Sequence, residues 1–190
     1  MLHELRRLML CEQIGLDASK LNGDVYDGDV MFSEDGPDIL ERFSALKVTR
    51  VKGNFHCTDC GIRSLKGCPE IIDGYFSCSR NCLTSLEYGP RVTQKDYYAT
   101  NNHLISLKGC PDRVGDFRIE MNPLSSIEFL PKTVRCFTLD SKQYELFSGK
   151  VRMIRKRIKR VKCVYLCDHT SYRILWPLSY MSDTKWDLNA

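Results

Sequence analysis

Phe55, Phe76, Tyr97, Phe117 and Phe137 lie 21, 21, 20 and 20 residues apart. Leu65, Leu86, Leu107 and Ile127 keep the same steps, as do Pro69, Pro90, Pro111 and Pro131. Aromatic, aliphatic and proline positions therefore recur in one register between Val48 and Leu139. A unit of roughly 20 residues cannot bury its own apolar face, so copies must stack and share one continuous interior. The period excludes an ordinary globular topology for the middle of the chain and predicts a solenoid.

Within the units, Gly53-Asn-Phe-His-Cys57, Gly74-Tyr-Phe-Ser-Cys78, Lys95-Asp-Tyr-Tyr-Ala99 and Gly115-Asp-Phe-Arg-Ile119 align. Apolar and polar residues alternate in them, the period of a strand with one buried face. Each strand is followed by a polar turn, an apolar pair and a return path such as Leu83 to Pro90. Gly and Pro before the next strand exclude a long helix there, so the arms are expected to be extended or short 3₁₀ turns.

The ends differ from the middle. A degenerate first unit matches Gly28, Val30, Phe32 and Asp35 to Gly74, Phe76, Cys78 and Asn81, with a short helix over Pro37 to Leu46 in the extra length. Met1 to Leu16 reads as an amphipathic helix closing the stack, because a terminal unit would otherwise expose its core. At the other end, Lys150 to Lys162 carries eight Lys or Arg in 13 residues, and Val151, Ile154, Ile158 and Val161 give it a narrow apolar stripe. We expect a basic helix, then a hairpin of Cys163–Cys167 and Tyr172–Trp176 on the sheet edge, then a frayed end from Asp183. The divisions are 1–47 (helical cap and degenerate repeat), 48–140 (repeats) and 141–190 (basic helix and hairpin cap).

The unit Gly74-Tyr-Phe-Ser-Cys-Ser-Arg-Asn-Cys-Leu-Thr-Ser-Leu-Glu-Tyr-Gly-Pro90 resembles the short leucine-rich repeats of bacterial and bacteriophage proteins, with their Asn-x-Leu-x-x-Leu core and Pro. The resemblance implies a leucine-rich-repeat solenoid: a curved parallel β-sheet with extended or 3₁₀ convex arms, a helical N-terminal cap, and a C-terminal helix plus hairpin. It also implies that Cys60, Asn81, Asn102 and Asn122 turn the chain, each side chain capping backbone groups of adjacent units. Such repeats bind unrelated partners, as standalone phage proteins or joined to ubiquitin-ligase domains in secreted effectors. The short stretch after Leu139 leads us to expect the binding half alone, plausible for a phage accessory protein acting on a host factor.

Few residues suggest chemistry. Cys57-x-x-Cys60 and Cys78-x-x-x-Cys82 have the spacing of a four-thiolate zinc site. The repeat accounts for three of them without metal, and Ala99 and Ile119 fill the Cys57 position in later units, so no metal and no cofactor are expected. With no secretory leader, the cysteines are expected reduced. His56 and Cys57 are adjacent in a strand and point to opposite faces, unsuited to a nucleophile pair. No phosphate loop, Ser/His/Asp order or paired carboxylates appear, and we expect no enzymatic activity.

Two surfaces remain. The outward strand positions Asn54, His56, Thr58, Tyr75, Ser77, Asp96, Tyr98, Asp116, Arg118 and Glu120 form the expected concave binding face for a protein partner, with Tyr75 and Tyr98 as anchors. The basic patch of Lys150, Arg152, Arg155, Lys156, Arg157, Lys159, Arg160 and Lys162 is the alternative, a nucleic-acid contact. Residues 141–190 carry 11 bases against 4 acids, whereas residues 1–47 carry 5 against 10, so the ends have opposite potentials. The chain has no run of about 18 apolar residues, and its stripe at 150–162 lacks aromatics. We expect no membrane partner and a cytoplasmic location, in the host cytoplasm if phage-encoded.

Overall fold

The computed structural model describes residues 2–126, 128–148, 163–168 and 171–177. The expected basic helix over Lys150–Lys162 and the end from Asp183 lie outside the described residues. What is described is a parallel-strand solenoid of about five turns. After α1 (Leu2–Gln13) and β1 (Leu21–Asn22), each coil contributes two short strands. They are β2 (Val25–Tyr26) and β3 (Val30–Ser33), β4 (Arg50–Val51) and β5 (Phe55–Thr58), β6 (Ile71–Ile72) and β7 (Phe76–Ser77), and β8 (Val92–Thr93) and β9 (Tyr97–Tyr98). β10 (Arg113–Arg118) and β11 (Thr133–Leu139) run through both positions, and β12 (Cys163–Asp168) and β13 (Ser171–Pro177) follow. The long sheet has the order β13-β12-β11-β10-β9-β7-β5-β3, and a short one β1-β2-β4-β6-β8.

The short sheet was not expected, since the arms were predicted only to be extended or short 3₁₀ turns. Val51, Ile72 and Thr93 stand four residues before the inward aromatic of each coil and are buried. Equal coil lengths bring them opposite one another, and parallel pairing then satisfies their backbone groups. The hairpin is as predicted: β12 lies parallel to β11 and β13 antiparallel to β12. So is the degenerate first unit, with Val30 opposite Phe55 and Phe32 opposite Cys57. The extra length beside it holds α2 (Ile39–Ser44), with Ile39, Leu40 and Phe43 buried. Among the described residues no helix is long and apolar enough to cross a membrane.

One interior runs the length of the stack. Successive aromatic centroids are 6.0 Å apart for Phe55–Phe76, 4.9 Å for Phe76–Tyr97, 5.6 Å for Tyr97–Phe117 and 5.4 Å for Phe117–Phe137. Most contacts are edge-on, the arrangement ring quadrupoles favour. Tyr97 departs from the phenylalanine rule. Its hydroxyl is buried without a hydrogen-bond partner, and the nearby Cys78 thiol is not in bonding geometry. The room comes from Gly89, where a Cβ would sit 3.1 Å from the Tyr97 oxygen. The equivalent residues in neighbouring coils are Cys68 and Cys110.

Beside the aromatics runs a ladder of buried amides. Asn102 Nδ2 donates to the carbonyls of Cys78 (2.9 Å), Ala99 (3.4 Å) and Thr100 (3.3 Å), while its Oδ1 accepts from Leu83 N at 3.1 Å. Asn81 and Asn122 repeat this pattern one coil to either side. At the Cys60 position the thiol donates to the Thr58 carbonyl at 3.3 Å and lies beside the backbone of Glu34 and Asp35 in the coil before. The ladder ends on a residue sequence reasoning passed over. Gln143, 21 residues after Asn122, donates from Nε2 to the Ile119 carbonyl at 2.6 Å. It opens the unexpected helix α3 (Ser141–Ser148), with a reciprocal cap in which Gln143 N donates to Asp140 Oδ1 and Asp140 N to Gln143 Oε1.

Asn102→Ala orphans the buried Leu83 N–H and leaves the Cys78 carbonyl with the Asn81 amide alone, and is expected to cost about 2 kcal/mol in urea unfolding. Tyr97→Phe removes a hydroxyl that bonds to nothing, and the same measurement should show no loss or a gain of up to about 1 kcal/mol.

Candidate functional site

The outward side chains of the long sheet stand in rows, since residues one coil apart are in register. They do not form a uniform solvated face. His56 Nε2 and the Tyr75 hydroxyl share a hydrogen bond of 2.7 Å, with their rings edge-on at 4.7 Å. Tyr75 lies 5.7 Å from Tyr98, and the Arg118 guanidinium carbon sits 5.3 Å from the Tyr98 ring centre. The result is a strip, His56–Tyr75–Tyr98–Arg118, half-buried at its three rings and exposed at Arg118, running from β5 past the start of β7 and over β9 to β10, roughly 14 Å from end to end at the usual strand spacing.

The predicted residues divide into two groups. His56, Tyr75, Tyr98 and Arg118 make the strip. Asn54 and Asp96 bind the stack together: Asn54 Oδ1 accepts from Tyr75 N at 3.1 Å, and Asp96 Oδ1 from Asp116 N at 2.8 Å. Thr58 shares a 3.2 Å hydrogen bond with Ser77, which is only 6% exposed. Glu120 is 5% exposed, so neither Ser77 nor Glu120 is presented to a partner as expected. Arg135 was missed. It occupies the corner column where other coils have Gly53, Gly74, Lys95 and Gly115, and it reaches back to Asp116 Oδ1 (2.8 Å) and Asp96 Oδ1 (3.1 Å). A long cation where the repeat has glycine was the available signal.

The strip's polar atoms are committed. Burial and the Asp96 carboxylate, which accepts the Tyr98 hydroxyl proton at 3.0 Å, push the Tyr98 phenol up to about 12. Burial holds the His56 imidazole below its ordinary value, against the pull of Asp29, so the ring is neutral at physiological pH. The Tyr98 hydroxyl is bound to Asp96 and the Tyr75 hydroxyl to His56, so the strip presents mainly ring surface and the exposed Arg118 side chain. Cys57 lies behind the sheet in the core, on the opposite side from His56.

Among the described residues no three or more His, Cys, Asp or Glu side chains are placed to hold a metal ion. Cys57 and Cys78 are interior packing residues, and burial pushes the Cys78 thiol well up, so it stays protonated. One cysteine contradicts the expectation of free thiols: Cys136 is buried and disulfide-bonded. Its register partner on β12 is Cys163. The basic patch, Lys150 to Lys162, lies outside the described residues. Comparison with protein-family models, curated proteins and solved structures finds no match to this chain.

Glu120 Oε2 is buried without a partner. Burial raises its carboxyl pKa, with backbone hydrogen bonds and Arg118 opposing, so the folded state holds the proton more tightly than the unfolded one. Stability from this group is present at low pH and is lost as pH rises from 4.5 through the folded value. Glu120→Gln is therefore expected to raise the urea midpoint at neutral pH and to leave it unchanged well below pH 4.5. An equal gain at both pH values would contradict a buried ionising carboxylate.

Proposed function

We propose that the chain is a non-enzymatic protein-binding module of the short leucine-rich-repeat kind, contacting its partner through the open face of the long sheet. The observation that carries this is the His56–Tyr75–Tyr98–Arg118 strip. Aromatic rings held by one another and by fixed hydrogen bonds offer contact area at little entropic cost, the composition of interface anchors. Their hydroxyls are spoken for, which suits recognition better than catalysis. The phage accessory role against a host factor rests on the sequence resemblance alone.

The rival is nucleic-acid binding through residues 150–162, for which the eight cations there are the support. The two are separated by affinity capture from the native cellular extract. Tyr75→Ala with Tyr98→Ala is expected to lower recovery of the protein partner at least tenfold or so, with secondary structure unchanged. Neutralising Arg155, Arg157 and Arg160 should leave it intact. Recovery that is lost on neutralisation, falls steeply with salt and survives the tyrosine changes would assign the activity to the basic segment.

A further inference from the structure

A second regularity, with a period of two coils, lies away from the proposed binding face. Before successive prolines the chain reads Lys66-Gly67, Glu87-Tyr88, Lys108-Gly109 and Glu128-Phe129, and just after them stand Glu70, Arg91, Asp112 and Lys132. One ridge of the solenoid thus carries three rows: plus-minus-plus-minus, glycine-aromatic-glycine-aromatic, and minus-plus-minus-plus.

All four residues of the middle row have left-handed backbone, with φ of 104° at Gly67, 66° at Tyr88, 91° at Gly109 and 63° at Phe129. Glycine at 109 is required twice over, since a Cβ would also lie 2.3 Å from Leu86 O and Glu87 N of the preceding coil. Bulky aromatic residues seldom adopt this conformation, and here burial gives them little in return: Tyr88 is 69% exposed and Phe129 42%. Adjacent coils satisfy part of the charge pattern within the chain, through Lys108–Glu87 at 2.9 Å and Lys132–Asp112. Lys66, Glu128, Glu70 and Arg91 have no ion-pair partner among the described residues. Pairing within the chain also leaves the exposed rings unexplained.

A row that alternates over four positions is its own complement when reversed. With a second copy laid against the ridge, coils antiparallel and the two-fold axis crossing between the second and third coils, every row matches. Tyr88 meets Gly109 of the second copy, and Phe129 meets Gly67. Lys66 faces Glu128, Glu87 faces Lys108, Glu70 faces Lys132 and Arg91 faces Asp112. We propose that this ridge is an isologous interface between two copies of the chain. Parallel coils would set ring against ring, so the antiparallel order is the one the middle row selects. Four coils span only about 14 Å, which places the contact at the small end of specific interfaces and makes the dimer reversible.

The proposal is independent of what the sheet face binds. Sedimentation equilibrium over a wide concentration range is expected to show a monomer–dimer equilibrium. Tyr88→Gly with Phe129→Gly should raise the dissociation constant about 30-fold or more, because two anchors are lost. Glycine accepts the left-handed backbone, so circular dichroism should be unchanged. Exchanging charges by Glu87→Lys with Lys108→Glu keeps the pairing inside each chain. That variant should dimerise with itself and fail to pair with the unaltered chain. A chain monomeric at every concentration, a glycine variant that dimerises undiminished, or free mixing of the exchanged and unaltered chains would each overturn the assignment.

Discussion

Backbone groups turned inward at each corner have no water to bind, and the buried amides of Asn81, Asn102, Asn122 and Gln143 supply their partners instead. Each asparagine amide reaches carbonyls of its own coil and of the coil before it, as Asn102 does for Ala99 and Cys78, and the Gln143 amide reaches back to Ile119 and Asn122. A single side chain therefore fixes both the turn and the stacking distance. An unpaired group at that depth costs as much as a hydrogen bond is worth in a dry interior, so the ladder fixes how each turn sits on the one before, and changes in coil length are taken up in the arms.

Fixed stacking puts like positions in rows, and the rows give the surfaces their character. On the long sheet it aligns His56, Tyr75, Tyr98 and Arg118 into one supported strip, with Asp96 serving at once as staple for the next coil and acceptor for Tyr98. On the ridge before the prolines it turns a two-coil alternation of sequence into an alternation of height and charge. Both surfaces are made from side chains that are ordinary singly and acquire meaning by repetition.

Much of this was legible in the chain itself: the aromatic column and the degenerate unit at Val30 follow from the period that inward residues obey, the asparagine turns from the resemblance to leucine-rich repeats, and the edge hairpin from two apolar runs about a polar turn. What escaped lies where the period is interrupted. Arg135 stands in a glycine column, and its length carries it back across two coils to Asp96. Gln143 continues the asparagine row inside a helix, and only the Asp140-x-x-Gln143 cap announces that helix. The short sheet was hidden because Val51, Ile72 and Thr93 give two-residue strands, too brief for an alternation to register. The face itself was read as evenly exposed, whereas Ser77 is buried.

The central claim is that successive coils share one interior in register. Aromatic proton Overhauser contacts on selectively labelled protein test it most directly. Tyr97 is expected to show contacts to both Phe76 and Phe117, whose ring centres lie 4.9 and 5.6 Å away, with Phe76 passing the chain of contacts on to Phe55. Phe55, Phe76 and Phe117 reporting from separate clusters, with no contact through Tyr97, would contradict it.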